Sequence, residues 1–364
     1  MTSTTEPTQH HVRVGDIDLV YLAAGGSGPL AVCLHGFPDT AHTWTHLLPA
    51  LADAGFRAVA PWLRGYAPSG LDPNDHYQIG ASVADVVALH EALDGDADAV
   101  LVGHDWGARI ATGAAVLAPD RWSRLVTASV PPSAAVAQGF LTYPQLRRSW
   151  YMFFFQNPLA EIAVAMNDLE FIDHLWQDWS PGLDALEHVE RVKESLRDPA
   201  NLHAAIEYYR ATLNPAEHTT ADYQAEEAAI DGTPTQPHLY LHGESDGCIG
   251  VEVGRLAEPL LTVPGSRLEV IEGDYLGETT TSYDNVFRGC QLALKGHLIG
   301  GKWYKIMNAL VKKARNISEG ALARLDINAA FVLPNGLILN WTFRDCTSGD
   351  IKLNIPDRKS YVEG

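Results

Sequence analysis

Val102-Gly-His-Asp-Trp-Gly-Ala108 decides how the rest of this 364-residue chain is read. The apolar residues 99–102 predict a short buried strand that stops at Gly103, and the Ala-rich run from Ala108 onward predicts a helix. Asp105 therefore falls in a strand-to-helix turn, flanked by Gly103 and Gly107. Small neighbours allow a sharp bend there that lifts one side chain above the sheet. A carboxylate so presented can attack carbon and form an ester with the protein. The competing use of an aspartate at this place is to cap the following helix.

Working outward, the same strand signal recurs. Leu30–Leu34 is apolar and ends at His35-Gly36; residues 57–60, 125–130, 238–241 and 268–271 repeat it, and residues 82–93 carry apolar positions at helical spacing. Strands alternating with helices predict an α/β fold, a mostly parallel sheet with helices on both faces. Residues 135–230 interrupt the alternation: they are helical in pattern, rich in aromatics and acids, and show no obvious strand. That predicts a helical cap inserted between two parts of a core, 1–134 and 231–273, covering the carboxyl ends of the strands where open α/β sheets bind ligands.

Two further loops complete a constellation. His35-Gly-Phe-Pro38 follows a strand, so the backbone N–H groups of Phe37 and Trp106 are candidates for an oxyanion hole. Leu241-His-Gly-Glu-Ser-Asp-Gly247 also follows a strand, and Asp246 is placed to orient a catalytic histidine. Its simpler reading is a turn residue ahead of Gly247.

Taken together, His35-Gly-Phe-Pro38, Arg64-Gly-Tyr66 and Gly103-His-Asp-Trp-Gly107 resemble the soluble epoxide hydrolases of the α/β-hydrolase superfamily, over roughly residues 10–273. The resemblance implies a cofactor-free enzyme acting on a small epoxide and water, with no metal. It also implies two cap tyrosines that hold the epoxide oxygen. Tyr151, in Trp150-Tyr-Met-Phe-Phe-Phe-Gln156, matches the first, and Tyr209 matches the second, with Tyr208 as its alternative. A phenol suits that role, because at neutral pH it donates first a hydrogen bond and then a proton. Haloalkane dehalogenases are similar around the turn but typically carry Asn in place of Phe37. A third reading is a non-catalytic ligand-binding protein on a hydrolase scaffold.

That third reading is motivated by a departure. The family places its histidine just after the last strand, in a loop resembling Glu-Gly-x-Gly-His. Here Leu268-Glu-Val-Ile-Glu-Gly273 arrives on schedule, but the histidine position falls near Leu276, and no histidine occurs between His242 and His297. His297 comes some 20 residues too late. Composition changes at the same place. Residues 1–273 hold 14 Lys+Arg against 36 Asp+Glu and a single lysine, Lys193; residues 274–364 hold 12 against 9, with seven lysines. A step this abrupt predicts a junction to a divergent α+β segment, 274–364. Within it residues 302–315 have helical spacing, and the apolar runs either side of Asn335-Gly336 predict a hairpin.

The net charge of −19 argues against a nucleic-acid partner, which wants a basic face. No apolar run is long enough to predict a membrane span. The polar start lacks the apolar stretch of a secretory signal. Four cysteines without paired spacing predict neither zinc nor a disulfide framework, and so a cytoplasmic setting.

Overall fold

The structure, a computed structural model, describes residues 6–180 and 185–271, and the backbone of two strands at 327–332 and 338–343. Eight strands form one sheet: β1 (Thr8–Val14), β2 (Ile17–Ala24), β3 (Leu30–Leu34), β4 (Arg57–Pro61), β5 (Val100–His104), β6 (Arg124–Ala128), β7 (His238–Gly243) and β8 (Arg267–Ile271). Their order is β1-β2-β4-β3-β5-β6-β7-β8. From β4 to β8 every pairing is parallel, whereas β1 and β2 join antiparallel. The central strand β3 is buried along its whole length, as expected where helices cover both faces.

Every strand expected from the apolar runs is present, with ends moved by one or two residues. The β1–β2 hairpin is an addition. Its first strand reads Thr-Gln-His-His-Val-Arg-Val and lies mostly exposed, so it carries no apolar run for sequence reading to find. The chain reverses at Gly15, whose φ of +53° suits a residue without Cβ. Helix 79–92 begins three residues before its apolar pattern was expected to start.

Between β6 and β7 the described residues from 133 to 180 and from 185 to 229 form helices joined by short turns, with no strand among them. This segment docks on the sheet through specific bonds as well as apolar contact. Trp176 Nε1 donates to the Pro38 carbonyl (2.9 Å), Asn201 Nδ2 to that of Gly65 (2.7 Å) and Ser195 Oγ to that of Ala67 (2.6 Å). Beneath it, the buried Arg64 spans Asp72 and Asp85 with bonds of 2.7–2.8 Å.

The chain divides into two compact units, residues 1–294 and 295–364. In the second, Ile327–Val332 pairs antiparallel with Ile338–Phe343, Val332 opposite Ile338, one residue off the register that a two-residue turn at Asn335-Gly336 sets, which would put Val332 opposite Leu339. The helix expected at 302–315, Leu276 and His297 lie outside the described residues. No helix among the described residues is long and apolar enough to cross a membrane.

Candidate active site

Asp105 occupies the turn between β5 and the helix Trp106–Leu117 with φ +56° and ψ −122°, a strained backbone for a residue with a side chain. Its surroundings explain why the flanking positions are glycine. A Cβ on Gly103 would stand 2.1 Å from the Gly107 carbonyl oxygen, and one on Gly107 would stand 2.2 Å from that of Leu34. A Cβ on Gly36 would meet the Asp105 carboxylate itself at 2.2 Å. Close approach of three backbone segments therefore holds the carboxylate above the sheet. The Asp105 side chain does not cap the helix.

The carboxylate faces the loop after β3. Its Oδ1 accepts from the Phe37 N–H at 2.9 Å, and the Trp106 N–H is also hydrogen-bonded to it. Burial pushes the Asp105 pKa up to about 6, against the pull of these two bonds, with the neighbouring Asp246 charge adding to the rise. Asp105 is thus ionised at neutral pH but poorly solvated, which favours it as a nucleophile.

Above it lies a cavity of about 500 Å³, lined mainly by apolar side chains. Asp105, Trp106, Tyr151, Tyr209 and Cys248 are on its wall. Tyr151 and Tyr209 come from separate helices, Trp150–Phe154 and Pro199–Leu213, and their rings meet edge to face with centroids 5.5 Å apart. The Tyr209 ring also packs on Phe37 (5.2 Å) and Trp106 (4.7 Å), the two residues whose N–H groups face the Asp105 carboxylate. Burial raises both phenol pKa values well above their ordinary value, which keeps them protonated. Tyr208 is directed elsewhere: its hydroxyl donates to the Arg64 carbonyl (3.0 Å) and contacts Ser82 Oγ (3.0 Å). The structure thereby separates the two adjacent tyrosines, which sequence alone did not.

Asp246 sits in the loop after β7, and its charge acts on Asp105. Its Oδ1 accepts from the N–H groups of Cys248 (2.8 Å) and Ile249 (2.9 Å), the turn role that competed with the catalytic one. Its Oδ2 lies 3.9 Å from His242 Nε2. His242 is committed internally: Nε2–H donates to the Ile249 carbonyl (2.9 Å), and Nδ1 meets the Tyr240 hydroxyl. His35 is likewise committed, accepting from the Leu63 N–H (3.0 Å) and donating to the Gly36 carbonyl (2.8 Å), and burial drives its pKa down to about 3. His104, beside Asp105, is lowered to about 4 by burial and stays neutral. Among the described residues, no histidine lies on the cavity wall.

Three side chains on or behind this wall went unread in the sequence. The Cys248 thiol meets the Tyr151 hydroxyl at 3.5 Å. Gln145, buried, donates to the Cys248 carbonyl (2.9 Å) and Ser149 Oγ (2.9 Å) and accepts from the Gly250 N–H (3.0 Å). It fastens the Asp246 loop to the start of the Tyr151 helix. Arg109 is the third, and lines the cavity one turn along the helix from Asp105. The glutamine and cysteine carry no local motif, since each acts across about 100 residues of chain.

A cluster of Glu161, His203 and Glu207 has the residue types of a metal site. Its geometry does not fit one, because Arg210 Nη1 already bonds both glutamates at 2.7 Å.

A parallel sheet with a carboxylate at the strand-to-helix turn and two backbone N–H groups facing it defines a hydrolase of the α/β class. The chain belongs to the alpha/beta hydrolase fold family, whose model matches residues 29–275. Among relatives, it is 31% identical to epoxide hydrolase 4 of Mus musculus over 69% of this chain and 70% of that protein. It is 30% identical to an epoxide hydrolase of Caballeronia sordidicola over 66% and 78% respectively. The crystal structure of epoxide hydrolase A from Mycobacterium thermoresistibile shares the fold, with TM-score 0.62 and 23% identity over 80% of this chain and 98% of that one. The protein is an epoxide hydrolase-like α/β hydrolase.

Proposed function

We propose that this protein opens epoxides through an ester on Asp105. The observation that carries the reading is the shared cavity, in which a strained, ionisable carboxylate faces two protonated tyrosines across an apolar space. In the first half, an Asp105 oxygen attacks a ring carbon and the ring C–O bond breaks. Tyr151 and Tyr209 donate hydrogen bonds to the departing oxygen, and one of them gives it a proton. An alkoxide is a stronger base than a phenolate, so this transfer is downhill even with the phenols raised by burial.

In the second half, water adds to the ester carbonyl and its oxyanion is held by the N–H groups of Phe37 and Trp106. Collapse releases the diol and restores the carboxylate, and the proton taken from water returns to the tyrosine that gave one up. This half needs a base to take a proton from water, a contribution of roughly 10²–10⁴-fold. Asp246 would serve such a base, but the sequence has no histidine near Leu276, where the family resemblance implies one. The ester is therefore expected to form faster than it is hydrolysed.

One observation favours halide chemistry as a second reading: among the described residues, the buried Trp106 Nε1–H has no hydrogen-bond partner, and it stands beside Asp105, where it could hold a halide. Two site tyrosines and Phe37 weigh on the epoxide side. Consumption of styrene oxide, set against halide release from 1-bromobutane, tests the choice. Epoxide consumption or capture without halide release is the expected result. Halide release with styrene oxide untouched would overturn the epoxide assignment.

A further inference from the structure

Arg109 is the one lysine or arginine among the described residues on the cavity wall. It follows Asp105 by four positions and Trp106 by three on the helix Trp106–Leu117, so it projects from the same side of that helix. Its guanidinium carbon lies 5.9 Å from the centre of the Trp106 ring, which itself packs on Tyr209. The cation is thus held close to the reacting centre.

Among the described residues, Arg109 has no hydrogen-bond partner and no carboxylate oxygen within 4.0 Å. Three acids act on it from farther away, Asp231, Glu227 and Asp105. Glu227 has one carboxylate oxygen committed to the Gly80 N–H, and Asp231 shares the cavity wall. Burial pushes the Arg109 pKa down, and these distant charges oppose it. Arginine nevertheless stays charged in proteins, so a partly buried fork of N–H donors lies on the wall of a mainly apolar cavity. Such a group is costly unless a ligand pairs with it.

We propose that Arg109 is a specificity-determining residue that binds a carboxylate on the substrate, so that the cavity takes epoxy acids whose carboxylate lies within a few bonds of the oxirane. The guanidinium pairs the two carboxylate oxygens side by side, a geometry that an ester or an unsubstituted ring cannot offer. The hydrocarbon end then lies against Val136, Phe140, Leu141 and Met152. This inference rests on the epoxide reading above and narrows it.

The test uses trans-3-phenylglycidate, its methyl ester and styrene oxide with the full-length protein and with Arg109→Met. Second-order rates of reaction are followed by substrate consumption and by protein adduct. The acid-to-ester ratio is taken within each protein, so it does not depend on how much of a variant is folded. The expected ratio, corrected for the intrinsic reactivity of each epoxide toward acetate, favours the acid by about 10–100-fold in the unaltered protein and falls to near one in Arg109→Met. A ratio near one in the unaltered protein, or one that survives Arg109→Met, overturns the carboxylate site while styrene oxide reactivity leaves the epoxide reading standing. Failure of all three epoxides to react overturns both.

Discussion

At the scale of single residues, the state of Asp105 governs both reactivity and stability. Its pKa of about 6 in the fold means that ester formation should rise as pH increases through 6 and level off above about 7. Stability runs the other way. A carboxyl whose pKa is raised by folding favours the folded state fully below its unfolded pKa of about 4 and loses that contribution as pH rises through about 6. Above pH 7 the buried charge is therefore a net cost. Asp105→Asn, which keeps an acceptor for the Phe37 N–H, should be more stable than the unaltered protein at pH 8 by about 1–3 kcal/mol. The gain should vanish near pH 4. Denaturant unfolding at both pH values checks this, and equal stabilities at pH 8 would show that the carboxylate is better solvated than its position indicates. Asp105 and Phe37 were legible in sequence because glycine spacing around a turn is a local signal. Tyr151 and Tyr209 were legible only through family resemblance, since a tyrosine on a helix looks the same whether it packs or reacts. Arg109 was hidden in an Ala-rich helix that gives no hint of which face meets a cavity.

The elements show how much of the site depends on close backbone approach. Gly103→Ala places a methyl group 2.1 Å from a backbone oxygen, with no flexible side chain to give way. Loss of the turn is expected, with destabilisation of more than about 3 kcal/mol and no reaction at Asp105. Gln145 tests a different joint. In Gln145→Leu the Gly250 N–H and the Cys248 carbonyl lose their buried partner, at a cost of about 2–4 kcal/mol. If the glutamine only stabilises, the folded variant should keep the parent rate of ester formation. If it sets the distance between Tyr151 and the Asp246 loop, that rate should fall at least about tenfold, with Gln145→Glu, whose carboxyl can donate at low pH, recovering part of it there relative to the unaltered protein at the same pH. The second outcome is expected. Strands β3 to β8 were readable from apolar runs, whereas the exposed β1, with only Val12 and Val14 apolar, was not.

For the described fold taken whole, the site exists only where the 133–229 helices meet the sheet. Arg64 lies at that junction, bonded to two buried carboxylates while its carbonyl holds Tyr208. Arg64→Met would leave Asp72 and Asp85 buried without a cation, a loss of about 3–5 kcal/mol measurable by thermal or denaturant unfolding. The helical insertion was visible in sequence as a break in strand–helix alternation, but the polar bonds that seat it were not, since each joins residues far apart in the chain. The step in composition at residue 273 was equally visible, and it falls where the expected histidine is lacking.

In the proposed reaction Asp105 attacks an epoxide, and the ester forms faster than it is hydrolysed. Intact-mass spectrometry of folded protein after incubation with styrene oxide measures both. One added substrate mass is expected on the unaltered protein, persisting after excess epoxide is removed, and none on Asp105→Asn. Unmodified protein with no diol formed, or diol formed equally well by Asp105→Asn, would contradict it.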